Sequence, residues 1–425
     1  MTEYPDTYYA STVERDNSRP ALSGDHSTDV CIIGAGFSGI STALHLAEQN
    51  VKVTVLEANR IGWGATGRNA GQIVNGLHRE LDFYKKKFDS KTYSTFKKLQ
   101  FEGGKVIQRI IDDYSVDCDL GKTTILAALD KKWEADLNER FSDWQQTNEA
   151  QAEIVTGTKI REFVNSDRYK AILVDYRGGS LNPLKLVFAE AMQVERLGGV
   201  IHEESLVTKV IPGENTRIVT ESGCVSAKKV VICGNAYLEG LLPGPQRRSI
   251  VAGSQILWTE PLDQSHADSL IPSRGCVEEG ILDANFYRLT NDNRFLFGAG
   301  LNLGHQDREK IIRVLKPRML NLFPSLKNIK IISGWSGNFL LTANHTPQVN
   351  RLNDSIYYAQ GYNAFGITTT HLVGRSIAQA ITSSSTEFDA FSKLTHMPIV
   401  GGDLFRVPYL LTGAYLYRLR DRLKF

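Results

Sequence analysis

Gly34, Gly36 and Gly39 follow a short apolar run, residues 29–33 (DVCII). They precede residues spaced for a helix, with Ile40, Leu44 and Ala47 on one face. Glycines at this spacing, between a strand and a helix, are suited to holding a pyrophosphate. Gly34 permits a tight turn, Gly36 lets the backbone approach the phosphates, and Gly39 lets helix pack closely on strand. Ala35, Phe37 and Ser38 lie between them, where the helix N-terminus offers free amides and partial positive charge. A second strand, 51–56, ends at Glu57 and Ala58, with Glu57 eighteen residues after Gly39. A carboxylate there accepts hydrogen bonds from ribose hydroxyls and repels a 2′-phosphate, which disfavours NADP. A glycine turn without a ligand is the bland alternative; the complete context argues against it.

A second glycine cluster, residues 60–72, follows Glu57 directly. It contains Gly62, Gly64, Ala65, Thr66, Arg68 and Asn69. The chain carries one full fingerprint and this cluster. That favours FAD, a prosthetic group whose ring extends into a second domain, over NAD. Arg68 is a candidate cation near the flavin; the alternative is an arginine paired with a surface acid. Reduced flavin carries negative charge near N1, which a cation or a set of donors stabilises.

These residues need elements to position them. Residues 1–28 read as polar and irregular, and 80–150 as charged and helical, with Lys85, Lys86 and Lys87 on a solvated face. A helix is expected from about 183, and strands at 207–210 and 230–233. Pro243 and Pro245 mark a crossing between domains. Short strands are expected at 255–259, 286–290, 294–297 and 329–332. A strand at 357–361 then leads to a glycine-opened helix, 366–380. The fold class is α/β: a Rossmann-like dinucleotide domain interrupted by a second, α+β domain.

The 425 residues suit two to three domains. The 49 basic and 47 acidic residues balance, which gives no reason to expect a nucleic-acid partner. No run of about 18 apolar residues predicts a membrane-spanning helix, and the first residues lack a secretory signal pattern. Five scattered cysteines, Cys31, Cys118, Cys224, Cys233 and Cys276, form no CxxC pair. No disulfide framework or metal site is expected, and reduced thiols suit the cytoplasm. The tail alternates Leu410, Leu411, Tyr415, Leu416 and Leu419 with Arg418, Arg420, Arg422 and Lys424. A tail docked on the protein is favoured over weak contact with a membrane surface.

Residues 64–71 (GATGRNAG) resemble the GASxRNGG segment of the D-amino-acid-oxidase-like FAD oxidoreductases. The stretches 166–169, 234–238, 287–294, 337–342, 370–375, 401–408 and 417–423 are similar to the branch of that family acting on gamma-glutamylputrescine. The resemblance implies an FAD-binding domain from 28–85, 150–245 and 335–385. It implies a substrate domain with a mixed or antiparallel sheet from 86–149 and 246–334, and a tail from 386. It places Val207 at the adenine, Gly234 near the pyrophosphate, and Gly361, Asn363, Ala364, Phe365 and Gly366 beside the flavin. Phe365 stands where relatives often carry histidine. Thr368 stands where sarcosine-oxidase-like relatives carry a lysine for a substrate carboxylate, which suits a carboxylate far from the reacting carbon.

The implied reaction oxidises a C–N bond by hydride transfer to flavin N5, giving an imine that hydrolyses. The substrate amine must be neutral, and an apolar aromatic pocket favours that form. Tyr287 and Phe365 are candidate aromatic walls, with core packing an equal alternative for Tyr287. His345 is a candidate substrate ligand, and His45 is read as structural. Residues 333–342 and 361–370 hold no cysteine, so FAD is expected to be non-covalent. Oxygen, reduced to hydrogen peroxide, or another acceptor would reoxidise the flavin, with oxidase favoured over dehydrogenase. The alternatives are an amino-acid or cyclic imino-acid (L-pipecolate-like) enzyme and a non-catalytic FAD-binding protein.

Overall fold

A computed structural model describes residues 3–14, 19–147, 151–238, 240–280, 284–302 and 306–399. The described strands form two sheets. The first comprises β1 (Gly24–Ile33), β2 (Val53–Leu56), β7 (Val200–His202), β8 (Lys209–Ile211), β9 (Thr216–Val219), β10 (Gly223–Ile232), β16 (Gln348–Arg351) and β17 (Ile356–Gln360). Its order is β16-β17-β10-β1-β2-β7, with β9 and β8 branching from β10. The pairs β1–β10, β1–β2, β10–β17 and β2–β7 are parallel.

Parallel strands covered on both faces are apolar throughout, and β1 shows why 29–33 reads as a continuous run. Val30 and Ile32 face one core, with Ile40, Leu44, Val231 and Ile377. Cys31 and Ile33 face the other, with Ile218, Val225 and Ile356. Helices Phe37–Ala47, Pro183–Arg196 and Gly366–Thr382 contribute to the first core. Asn182 starts the second of these, its side chain accepting from the amides of Leu184 and Lys185, with Pro183 in the first turn.

The second sheet comprises β3 (Gln72–Ile73), β4 (Gly121–Ala128), β5 (Ala152–Thr156), β6 (Ala171–Ser180), β11 (Ser249–Pro261), β12 (Cys276–Glu279), β13 (Asn285–Leu289), β14 (Arg294–Asn302) and β15 (Ile331–Thr342). Its order is β15-β11-β14-β13-β12-β4-β6-β3, with β5 on β6. All its pairs are antiparallel except β12–β4. Alternation along the strands separates two faces. Ile256, Trp258, Leu296 and Trp335 pack into the core shared with the first sheet. Leu257, Phe295, Phe297 and Val277 face an outer core closed by helix Arg308–Leu322.

Several expectations change. The stretch 80–150 is not wholly helical, because β4 lies within it and forms the one parallel pair among the described residues of the second sheet. The N-terminal region is not irregular throughout: Tyr8 and Tyr9 are core residues, and β1 begins at Gly24. Strand β8 starts after Val207. Within the expected FAD-domain segments, β3, β5 and β6 pair in the second sheet, and β15 straddles the expected boundary at 334/335. The chain therefore crosses between the sheets more often than the segment boundaries imply. Helix Thr386–Ser392 packs its Phe388 and Phe391 into the shared core. The amphipathic tail from residue 400 onward lies outside the described residues.

Candidate active site

The carboxyl ends of β1, β2 and β10 lie side by side, where the strand order turns back on itself and ligands of α/β sheets bind. Gly34 takes φ +102°, and a Cβ there would meet the Cys233 carbonyl oxygen at 3.0 Å. A Cβ on Gly39 would lie 1.9 Å from the Gly34 oxygen, so close helix–strand packing requires glycine. The Phe37 amide donates to Thr66 Oγ1 at 3.0 Å, tying the second glycine cluster to the helix start. Ser38 Oγ lies 2.6 Å from the Tyr362 hydroxyl, tying that helix to the 361–366 loop. Ala35 is buried in the same turn.

Glu57 accepts the Ala35 amide on one oxygen (2.8 Å) and the Asn59 amide on the other (2.9 Å). Each oxygen retains a lone pair for a ribose hydroxyl. Burial pushes this carboxyl above its ordinary range against the pull of the two amides. Ala58 follows it, partly buried. The backbone amide and carbonyl of Val207, just before β8, have no partner among the described residues.

Residues 64–69 and 234–237 meet. A Cβ on Gly64 would touch the Tyr237 ring at 3.3 Å, and Trp63 packs edge-on to Tyr237 with centroids 5.6 Å apart. Gly234 opens the turn that carries Tyr237. The Arg68 guanidinium lies 4.2 Å from the centre of the Trp63 ring. It has no carboxylate partner among the described residues, and burial lowers its pKa. The pairing with a surface acid is therefore not what this arginine does. Asn69 uses its side chain within the loop, donating to the Ala65 and Thr66 carbonyls and accepting from the Gly71 amide. Trp335 Nε1 donates to the Arg68 carbonyl, which sets this loop on the inner face of the second sheet.

The 361–366 loop is over-determined. Asn363 and Ala364 take φ +51° and +71°, left-handed conformations that cost a non-glycine residue energy. Asn363 is held by Thr342, whose amide donates to its Oδ1 at 2.7 Å, and by its own donation to the Gly361 carbonyl. Gly361 in turn donates to Asn235 Oδ1. Phe365 precedes helix Gly366–Thr382, whose first turn has no side-chain cap and no acidic residue. Its free amides are oriented donors for negative charge.

Of the candidate substrate residues, Phe365 and His345 come together, joined by one that was missed. The His78 ring lies 4.2 Å from the Phe365 ring and 6.5 Å from that of His345. His78 donates from Nε2 to the Asn363 carbonyl at 2.7 Å. Burial, with His345 nearby, holds its pKa down to about 3, so the imidazole is neutral. Burial also lowers His345. No spacing signal marked His78, which stands alone in an irregular segment.

Tyr287 is not on the inner wall. Its ring packs with Phe295, Phe297 and Phe323 in the outer core, and its hydroxyl lies 2.8 Å from that of Tyr169. Its neighbour Phe286 faces inward, and Arg288 donates to the Ala70 and Leu181 carbonyls. Thr368 is fully engaged in packing, donating to the Val74 carbonyl at 2.9 Å. His45 bonds its own helix at the Ser41 carbonyl, as a structural histidine does. The five cysteines are buried thiols; the one nearest the glycine turn, Cys233, has its pKa pushed up to about 12 by burial.

The residues fit a bound flavin dinucleotide. Arg68 Nε, Tyr237 Oη, Ser254 Oγ and Asn338 Oδ1 are buried without partners among the described residues. Ser254 pairs with Gly337, and a Cβ on Gly337 would lie 2.9 Å from Arg68 Cβ, so these orphaned groups cluster. Unpaired buried polar atoms are costly, and a flavin held between Arg68 and the 361–366 loop would give them partners.

Residues 29–380 match the family described as FAD dependent oxidoreductase, and the chain belongs to it. It is 41% identical to gamma-glutamylputrescine oxidoreductase of Escherichia coli (strain K12), over 100% of both chains. It is 33% identical to the probable oxidoreductase OrdL of Haemophilus influenzae, over 99% of this chain and 98% of that one. The fold is that of glycine oxidase from Geobacillus kaustophilus, at TM-score 0.72 and 18% identity, covering 88% of this chain and 100% of the other. The protein is thus an FAD-dependent oxidoreductase with a Rossmann-like domain and an interleaved mixed substrate sheet.

Proposed function

We propose that this chain oxidises the primary amine of gamma-glutamylputrescine. The supporting observation is the full-length similarity to the Escherichia coli enzyme of that name. When bound, FAD supplies the two-electron acceptor for C–N oxidation. The resulting imine hydrolyses to an aldehyde and ammonia, and oxygen takes the two electrons to give hydrogen peroxide. Phe365 and the neutral His78 disfavour an ammonium beside them by desolvation, which leaves an amine there able to react. Arg68 and the first amides of helix Gly366–Thr382 would stabilise negative charge on a bound flavin. The engaged Thr368 hydroxyl leaves no carboxylate ligand at that position, which suits a substrate whose carboxylate is distant.

Anaerobic flavin bleaching tests this reading with gamma-glutamylputrescine, putrescine and L-pipecolate at matched concentrations. Fastest bleaching by gamma-glutamylputrescine supports it. Fastest bleaching by L-pipecolate moves the enzyme to amino-acid substrates, and no bleaching by any amine leaves a binding protein. Peroxide formed on admission of air identifies oxygen as acceptor.

A further inference from the structure

The inner face of the second sheet carries two carboxylates, Asp175 and Glu278. Asp175 is engaged: Asn75 Nδ2 donates to it at 2.9 Å and the Arg177 amide at 3.0 Å. Glu278 has no hydrogen bond or ion pair among the described residues, although it lies in the middle of a nine-stranded sheet. Its strand fixes its direction. Val277 pairs with Tyr287 and shares its outer core, so Glu278 points the other way.

Its cross-strand neighbours are Phe286 on β13 and Leu126 on β4. The Phe286 ring leans away over β14, where a Cβ on Gly298 would meet it at 2.0 Å. That leaves the space above Glu278 uncovered by this ring, and the residue is only partly buried. Leu126 belongs to an apolar cluster with Phe101, Leu137 and Trp144, against which Phe365 packs. The carboxylate thus stands on the inner face next to an apolar cluster that Phe365, of the 361–366 loop, also joins.

We infer that Glu278 is a specificity-determining residue whose carboxylate holds the non-reacting ammonium of the substrate, the glutamyl one in gamma-glutamylputrescine. The inference rests on the proposed function above. A carboxylate left unpartnered beside an apolar cluster is costly until a cation arrives. Burial pushes the Glu278 carboxyl up to about 7, with Arg140 drawing it the other way. An arriving cation restores the charged form.

The titratable and charged groups on the elements packed around it are Cys276, Arg288, Asp175 and Arg140. Cys276 is pushed up to about 12 by burial, and Asp175 is raised by burial but held by Asn75. Arg288 donates to the Ala70 and Leu181 carbonyls, and Arg140 bonds Glu80 at 3.0 Å. Arginines stay cationic throughout.

The test is Glu278→Gln in the FAD-loaded enzyme. The variant is expected to keep its FAD content and melting temperature. Its kcat/KM for gamma-glutamylputrescine should fall about 10–100-fold, mainly through KM, as for a lost hydrogen bond to a charged group. The wild-type kcat/KM should fall as pH drops through about 7, where the carboxyl protonates, and the variant should lose that limb. N-acetylputrescine, which keeps the reacting amine but lacks the glutamyl ammonium, locates the contact. A loss confined to gamma-glutamylputrescine places Glu278 at the glutamyl ammonium, and an equal loss with both amines overturns the inference, because the reacting nitrogen must be neutral. An unchanged kcat/KM and pH profile, or a loss that follows FAD content, overturns the inference. If wild-type enzyme is bleached only by another amine, the functional reading fails on its own, and the same comparison is made with that amine.

Discussion

Gly36 shows how a single atom decides cofactor retention. A Cβ there would meet Thr66 Oγ1 at 3.0 Å, the acceptor of the Phe37 amide. A branched side chain also enters the space a pyrophosphate needs. Gly36→Val should therefore purify folded and colourless; normal FAD content, read from absorbance, would refute the assignment. Tyr287 teaches the opposite lesson. Strand character was legible at 286–290, but the side of the sheet on which Tyr287 falls depends on a parity that sequence leaves open, because one residue's shift exchanges the faces. The same parity hides Glu278, whose neighbour Val277 reads as ordinary core. Tyr287→Phe loses one hydroxyl contact to Tyr169, which keeps Glu279 as a partner. It should leave kcat/KM within about twofold and cost about 1 kcal/mol in denaturant unfolding.

At the scale of elements, the glycine turn, the acid after β2 and the glycine-opened helix were legible because each has a local mechanism. The strand β4 was not, because its apolar stretch lies between charged helical segments and is defined by its pairing with β12 and β6. Another hidden element-level contact joins helices Pro183–Arg196 and Gly366–Thr382. Glu190 Oε1 lies 2.9 Å from His371 Nε2, both side chains are fully buried, and His371 Nδ1 donates to the Ile367 carbonyl. Burial pulls the imidazole down, but the Glu190 charge and hydrogen bond outweigh it and hold the pKa above 6.5. A raised folded-state pKa gives stability that is full below the unfolded value and lost as pH rises through the folded one. Glu190→Gln should cost about 3 kcal/mol near pH 6, where the imidazole is protonated. The gap from wild type in thermal melts should narrow toward alkaline pH. A gap independent of pH would show that the imidazole is neutral in the native protein.

For the whole molecule, FAD held at the proposed site between the two sheets would be a structural part as well as a reagent. Ligand bound only by the native state adds stability by mass action, about 2.7 kcal/mol at a hundredfold excess over Kd. With all five cysteines buried and none in the two flavin-facing segments, acid precipitation should release the yellow colour completely. Colour retained in a washed pellet would demonstrate a covalent bond. The two-domain character was legible in the sequence, but the number of crossings was not, because strand pairing across long separations leaves no local mark.

The interleaving also has a consequence for biosynthesis. The central strand β1 is made first, yet its neighbour β10 follows about two hundred residues later, paired Ile33 with Ile232. The next strand outward, β17, begins only at Ile356. The glycine turn thus leaves the ribosome long before the sheet that shapes it exists. Pairings so distant in sequence fold slowly, and unpaired apolar strands are prone to aggregate. FAD can lodge only in a nearly complete chain. Yield on overexpression should therefore track the flavin supply late in synthesis, and an N-terminal fragment ending before β17 should bind none.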